Sequence, residues 1–445
     1  MTSIHATPNA DQVNAENQLL DFLFDPNEKE MRLIGPGGTG KSWLVKRFIE
    51  KTLKEYKENC KLIGLEPDYT NYVLTALTNK AAQSLQDETG LDVQTLHSWL
   101  SLTVKPNYNT GKQDLKRTAS WQIHNKYLIF VDEAYMTDSK LLKELRDATM
   151  NCKIVFIGDD KQLDPVDASH SPITELKVRT AELTIPVRNA GSKDLQNLCT
   201  LFRQNVANVV ESTEKGIPYK WPYIPLVPGV IDHIDEVELE ALLRGPFATP
   251  SNDHLIMAFS NARVNFYNQF LREVRGQDHL FQVGEVLISN DTYEQGRFRI
   301  RNEQTVEIAK ADNHISWLKL GHLDVPTQFV EIKHAPDQKI PVIIDRAFHK
   351  EALKYAANQA KTGQSDWKPY YDLKENFADF RPRDASTFHK AQGSSKDVVV
   401  IDLNNLGTCN FPVMTARMLY VGLSRARKRV ILFGNLPSKY GGVIF

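Results

Sequence analysis

The sequence predicts an α/β protein of two parallel-sheet domains, the second interrupted by a β-rich insertion. Three observations carry that expectation. Over the first part of the chain, short apolar runs alternate with amphipathic helical stretches, the pattern of strands buried on both faces. Between Val283 and Asp345 the pattern changes to short alternating runs separated by turns, the signature of a small antiparallel barrel. Parallel-type runs then resume at Val398–Asp402 and Val430–Phe433.

Taken in order, strands are expected at Met31–Ile34, Tyr72–Ala76, Tyr127–Val131 and Lys153–Ile157. Helices are expected between them, at Ser42–Tyr56, Asn79–Asp87 and Ser139–Met150. A polar insert, Lys105–Thr118, contains Pro, Asn and Gly and reads as a protruding hairpin or loop. Trp221–Gly229 is too rich in proline for regular helix or central strand. A strand–helix unit follows at His254–Arg272, and the insertion ends with a helix at Phe348–Lys361 and an aromatic stretch, Trp367–Phe377.

Composition narrows the function classes only a little. At 41% hydrophobic and 24% charged, the chain can bury several cores, which excludes disorder, collagen and coiled coil as the main architecture. No stretch approaches the ~20 apolar residues of a membrane span. Met1–Gln12 lacks the basic-then-apolar order of a secretory signal. The 54 Lys+Arg and 55 Asp+Glu nearly cancel, so only local clusters can speak for a polyanionic partner. Two such clusters are Arg417–Arg429, free of acids, and Arg381, Arg383, His389, Lys390 and Lys396. Cys60, Cys152, Cys199 and Cys409 lie far apart without CxxC, which predicts free thiols, no zinc site and a reducing cytoplasm.

The strongest local signal is Gly35-Pro36-Gly37-Gly38-Thr39-Gly40-Lys41-Ser42, which matches GxxxxGK[ST] between a strand and a helix. Its glycines let backbone N–H groups wrap phosphates, with Lys41 on the β- and γ-phosphates and the Ser42 hydroxyl on Mg²⁺. Tyr127–Glu133 is a buried strand ending in two carboxylates at the same sheet edge. There Asp132 can hold Mg²⁺ through water, and Glu133 can take a proton from attacking water. A third strand ends in Gly158-Asp-Asp-Lys-Gln162, whose amide can address both a γ-phosphate and that water. ATP and Mg²⁺ are the cofactors these three segments imply.

Together with ELTIPVR, ASTFHKAQGSS and LYVGLSRARKR, these motifs stand in an order that resembles superfamily 1 helicases of the 5′→3′ (type B) subgroup, the Dda-like and RecD-like branch. The resemblance spans nearly the whole chain. It implies two RecA-like domains: 1–180, with a pin inserted at about 101–120, and 181–275 continued at 379–445. An SH3-like β-barrel insertion with a helical extension would occupy 276–378. It implies that Gln12 reads adenine, although the usual Leu-Thr before it is replaced by Pro8-Asn9. Arg188 and Arg425 would reach the γ-phosphate from the second domain, where a planar, permanently charged guanidinium suits the spreading charge. Thr78, Lys80 and His97 in the first domain, and Thr387, His389 and Lys390 in the second, would contact a single strand.

Trp367 and Tyr371 are the candidates for base stacking, at about 1–3 kcal/mol per base, and Tyr108 is the candidate wedge at the pin's tip. The expected function is an ATP-dependent 5′→3′ DNA helicase, acting as a monomer on single-stranded DNA and forks. Phage DNA replication or recombination in a host cytoplasm, beside a single-strand-binding or replication protein, is the expected setting. An RNA-directed helicase of the same superfamily and a non-unwinding loader whose phosphate loop acts as a switch remain as alternatives.

Overall fold

Two parallel sheets, each covered on both faces, carry the molecule, and a third, antiparallel sheet stands between successive parts of the second. The computed structural model describes residues 7–64, 66–69, 71–107, 113–163, 171–187, 192–296, 298–320 and 323–440.

The first sheet runs in the spatial order Arg179–Glu182, Glu30–Ile34, Lys153–Gly158, Tyr127–Asp132, Asn71–Ala76, Val93–Thr95, all parallel. Its central strands, Tyr127–Asp132 and Lys153–Gly158, read as nearly continuous apolar runs because both faces are buried. Leu128 and Phe130 pack with the Ala10–Phe24 and Lys41–Leu62 helices, while Ile129 and Val131 face Trp99, Leu141 and Leu145. The register pairs Ile34 with Gly158 and Ala76 with Asp132, so the three expected chemical segments leave the sheet at one edge. The helix expected at Ser42–Tyr56 continues to Leu62, with one π-helical turn at Phe48–Thr52. The insert is an antiparallel hairpin, Leu102–Pro106 with Gln113–Arg117. Arg117 fastens it to the helix Ser139–Asp147 through Glu144 (2.7 Å) and Asp147 (3.1 Å). Tyr108, the expected wedge, lies outside the described residues.

The second parallel sheet has the order Ile231–Ile234, Ala426–Phe433, Lys396–Asp402, His254–Ala258, Ala385–Thr387. Helices Lys193–Lys215 and Pro412–Arg425 pack on one face around Phe202, Val206, Leu419 and Leu423. Helix Asn261–Val274 contributes Val264, Tyr267 and Leu271 to the other. Trp221–Gly229 is irregular, as its prolines require, and buries Trp221 and Ile224 against the first of these faces.

The antiparallel sheet joins Ser316–Leu320, Leu323–Ile332, Thr305–Ala311, Val286–Ser289 and Phe380–Pro382, with Ala335–Ile343 beside Leu323–Ile332. Phe380–Pro382 joins it from beyond the two helices Arg346–Lys361 and Lys368–Glu375, so the chain returns to the second parallel sheet only at Ala385.

Candidate functional site

The phosphate-loop segment leaves the buried strand Glu30–Ile34 and is tied to the neighbouring strand by Gly35 N–H donating to Gly158 O (3.1 Å). Gly38 and Gly40 adopt φ of 85° and 87°, the left-handed region that side chains resist. At Gly40 a Cβ would also stand 2.6 Å from Gln12 Nε2, so a larger residue would have to push that amide aside as well as adopt a strained backbone. The Lys41 ammonium donates to the carbonyls of Gly35 (2.6 Å) and Pro36 (3.0 Å), which folds it over the loop. Thr39 is buried and its hydroxyl donates to Pro36 O (3.0 Å).

Gln12 sits where the sequence expects it. It closes a reciprocal cap with Asn9 at the start of helix Ala10–Phe24, and its Nε2 donates to Thr39 O (3.2 Å). The neighbouring Asp11, which sequence reasoning missed, accepts from Thr184 N–H (2.8 Å), the Thr184 hydroxyl (2.6 Å) and Ile185 N–H (3.1 Å). The Thr184 hydroxyl and the amides hold the Asp11 carboxyl below its ordinary range. Val187 N–H then donates to Gly38 O (2.7 Å), so the segment 183–187 is laid along the phosphate loop. Arg188, next in the chain, lies outside the described residues.

Asp132 ends its strand beside Lys41 and Glu133. Burial first, and then the Glu133 charge, push its carboxyl up to about 7, with Lys41 opposing. Glu133 has φ 52°, a left-handed backbone that a non-glycine residue adopts at a cost, and such strain clusters at functional positions. Gln162 is 6% exposed; its Nε2 donates to Asp159 (3.4 Å), while its Oε1 is buried with no protein partner among the described residues. Arg425 ends the helix Pro412–Arg425 and is 5% exposed. It is held by Ser424 Oγ (2.9 Å) and Ser394 O (3.3 Å), and its Nη2 stands 3.8 Å from the point where a Cβ on Gly37 would be. A guanidinium of the second domain therefore overhangs the phosphate loop of the first.

Gln12, Gly37, Gly38, Gly40, Lys41, Ser42, Lys80, Asp132, Glu133, Gln162 and Arg425 all line one cleft of about 1530 Å³ between the two parallel-sheet domains. Sequence reasoning missed Arg299, Arg301 and Glu303, which the antiparallel insertion brings to the same cleft. It also missed Arg203 and Tyr420, which hold the Gln162 loop from the second domain. Nothing local marks these residues, because each acts across more than 40 positions of sequence.

The expected strand contacts divide. Lys80 Nζ donates to Lys390 O (2.9 Å), joining the first domain to the second. Burial pushes both ammonium groups down from the ordinary lysine range. Thr78 caps helix Asn79–Thr89 through Ala81 N–H (3.1 Å), and Thr387 Oγ1 accepts from Lys390 N–H (3.4 Å), so both hydroxyls shape backbone locally. His97 and His389 are held below the usual histidine range by burial. None of Thr78, His97, Thr387 and His389 lines the cleft. Trp367 is half-buried and meets Tyr370 edge-on at 5.5 Å. Tyr371 is 1% exposed, packed beneath Tyr370, and has no face to offer a base; its expected stacking role is corrected to core packing.

The Arg417–Arg429 cluster is likewise not a bare basic surface. Arg427 and Lys428 share Asp397 (2.6 Å each), and Arg429 pairs with Asp232 (2.6 Å). Arg417 reaches the carbonyls of Asp160 and Gln162. Folding supplies acidic partners from strands that are remote in sequence.

A family model described as an AAA domain matches residues 9–216, and one described as a UvrD-like helicase C-terminal domain matches residues 384–433. The ATP-dependent DNA helicase dda of Enterobacteria phage T4 is 25% identical, over 94% of this chain and 97% of that protein. The conjugal transfer protein TraA of Agrobacterium fabrum is 30% identical over 90% of this chain, which spans 30% of that longer protein. Among solved structures, Bacteroides Pif1 bound to single-stranded DNA superposes with a TM-score of 0.52 at 14% identity, covering 99% of this chain and 94% of that one. Bacteroides Pif1 in complex with ADP-AlF3 and single-stranded DNA gives 0.50 at 13% identity, with 97% and 94% covered. At these identities the structural likeness concerns the fold.

Proposed function

We infer that the chain, a superfamily 1 helicase of the type B group, is an ATP-dependent motor that moves 5′→3′ on single-stranded DNA and separates duplex ahead of it. One observation carries the reading. Arg425 belongs to the second domain, yet its guanidinium overhangs Gly37 of the phosphate loop in the first. ATP lodged in that loop has a cation at its phosphates from across the cleft, so it favours the closed arrangement, and hydrolysis removes that preference. Strand contacts on the two domains then alternate in grip, which is what translocation requires.

The residues divide the chemistry as follows. Lys41 moves its three N–H donors from the Gly35 and Pro36 carbonyls to the β- and γ-phosphate oxygens. Glu133 accepts the proton of the attacking water, and the unpartnered Gln162 Oε1 orients that water by accepting its second hydrogen. Arg425 and Arg188 neutralise the charge that spreads over the γ-phosphoryl oxygens. Gln12, fixed against the loop by Thr39, recognises adenine.

Ser42 and Asp132 fit a divalent cation: they are hard oxygen donors, and a dication would offset the burial and the neighbouring Glu133 charge that lift Asp132. Bound there, Mg²⁺ would supply positive charge that neutralises the phosphates.

Lys80 and Lys390 bridge the domains where a strand would cross them, and Trp367 is the aromatic left for a base. The pin hairpin, with Tyr108, splits the duplex. The motor works as a monomer on forks, in a phage host's cytoplasm, beside single-strand-binding or replication proteins.

The test is unwinding of matched duplexes carrying a 5′ or a 3′ tail, with ATP and Mg²⁺. Opening of the 5′-tailed duplex alone is expected. Opening only from a 3′ tail, no opening at all, or stimulation of ATPase by RNA above DNA would overturn the reading.

A further inference from the structure

The loop that carries Gln162 belongs to the first domain and is braced within itself by Lys161 on Asp160 (2.7 Å), but three side chains of the second domain also hold it. Tyr420 Oη donates to Asp159 Oδ2 at 2.5 Å. Arg203, on helix Lys193–Lys215, sends Nη2 to Asp160 Oδ1 (2.9 Å), Nη1 to Glu182 (3.3 Å) and Nε towards Asp159 Oδ1 (3.5 Å). Arg417 reaches the backbone carbonyls of Asp160 (3.3 Å) and Gln162. Asp159 is in turn the residue to which Gln162 Nε2 donates, and Asp159 also accepts from Lys161 N–H (3.1 Å).

This web is buried. Asp159 is 2% exposed and Tyr420 fully enclosed. Burial and the Asp159 charge raise the Tyr420 phenol well above its ordinary range, so it remains a donor at every working pH. Tyr420 and Arg425 lie on the same helix, which seats tightly because position 422 is glycine: a Cβ there would stand 2.9 Å from both Ile401 Cδ1 and Phe388 Cε1. Whatever moves the arginine over Gly37 therefore moves the clamp on Asp159 with it.

We propose that Tyr420 and Arg203 are positioning residues for ATP hydrolysis, acting through Asp159 and Asp160 to set the Gln162 amide in the cleft, so that arginine delivery and water orientation arrive as one event. The proposal rests on the helicase reading of this cleft. Neither residue touches the nucleotide. Gln162 Oε1 can be aimed only if its Nε2 is anchored, and the anchor Asp159 is itself held by groups of the other domain. When the domains part, the anchor is released and Gln162 loses its aim. Hydrolysis is thereby confined to the closed state, which protects ATP from being spent without a step.

The experiment is a double-mutant cycle on the full chain, read as kcat and KM for ATP with saturating single-stranded DNA. Tyr420→Phe keeps the ring and removes the hydroxyl. It should lower kcat roughly 10–100-fold, the scale of a misplaced catalytic group, with KM changed less than about twofold. Combined with Gln162→Ala it should cost nothing further, because its effect passes through Gln162. Arg203→Ala should behave the same way, and Arg203→Lys should recover part of the loss. A purely structural role would lower the active fraction and multiply with Gln162→Ala. Unchanged kcat in both Tyr420→Phe and Arg203→Ala, or losses that multiply with Gln162→Ala, would overturn the proposal. A parent chain without DNA-stimulated ATPase would instead bring down the helicase reading, and this proposal with it.

Discussion

On the first wall of the cleft between the two parallel sheets the candidate chemistry sits in three loops continuous with their strands, whereas the second wall gathers side chains from stretches far apart in the chain. The first wall needs little beyond backbone: two left-handed glycines, an ammonium six residues from the carbonyl it rests on, and two acids at a strand end. The second wall depends on helix placement, since Arg425 reaches the cleft, and Arg203, Arg417 and Tyr420 reach the Gln162 loop behind it, only once helices Lys193–Lys215 and Pro412–Arg425 have packed on their sheet. One wall can therefore be damaged residue by residue, while the other responds as a unit.

Substitutions can sharpen that contrast. The largest effect should come from the second wall: Arg425→Lys keeps a charge but loses the planar fork, and should lower DNA-stimulated kcat by about 10³-fold or more. A loss below tenfold would mean that the arginine merely fills the cleft. On the first wall, Glu133→Gln should lower kcat by roughly 10²–10⁴-fold while ATP still binds, because an amide cannot accept the proton. Fluorescent-nucleotide titration beside the ATPase assay checks both halves of that statement.

The two aromatic candidates provide a finer comparison. Tyr371→Ala should cost roughly 3–5 kcal/mol in denaturant unfolding, as buried rings do. Trp367→Ala should spare stability and weaken single-strand binding by about 1–3 kcal/mol. The reverse assignment would restore Tyr371 as the base platform. The smallest effect is expected at Arg429, which is partly exposed and paired with Asp232. Arg429→Ala should change stability by less than about 1 kcal/mol and leave the salt dependence of DNA binding unaltered. A shallower salt slope would mean that the guanidinium leaves Asp232 for a phosphate.

How much of this was readable beforehand follows from the same contrast. The phosphate loop, Asp132, Glu133 and the strands beneath them were legible because each is specified within about ten residues, and the parallel register then brings their ends together. Gln12 lines the cleft despite its altered flank, since Asn9 supplies the helix cap that the flank has to provide. The Arg417–Arg429 cluster misled because charge was counted along the chain, while Asp232 and Asp397 arrive from other strands. Tyr371 misled because an aromatic residue on a short helix can face a strand or a core, and only packing decides which. Asp11, Arg203 and Tyr420 carry no local mark, since hydrogen bonds across 173, 43 and 261 positions have no sequence periodicity.

Tyr420 and Arg425 are five residues apart on one α-helix, which at ~100° per residue sets them roughly 140° apart around the axis and about 7.5 Å apart along it. The spacing acts as a phase relation between two tasks. A single inserted residue in that interval would turn one task by about 100° relative to the other and leave each side chain chemically intact but out of step. The number of residues between the two is thus under tighter constraint than the identity of most of them, and sequence drift should tolerate altered letters there far more readily than altered length.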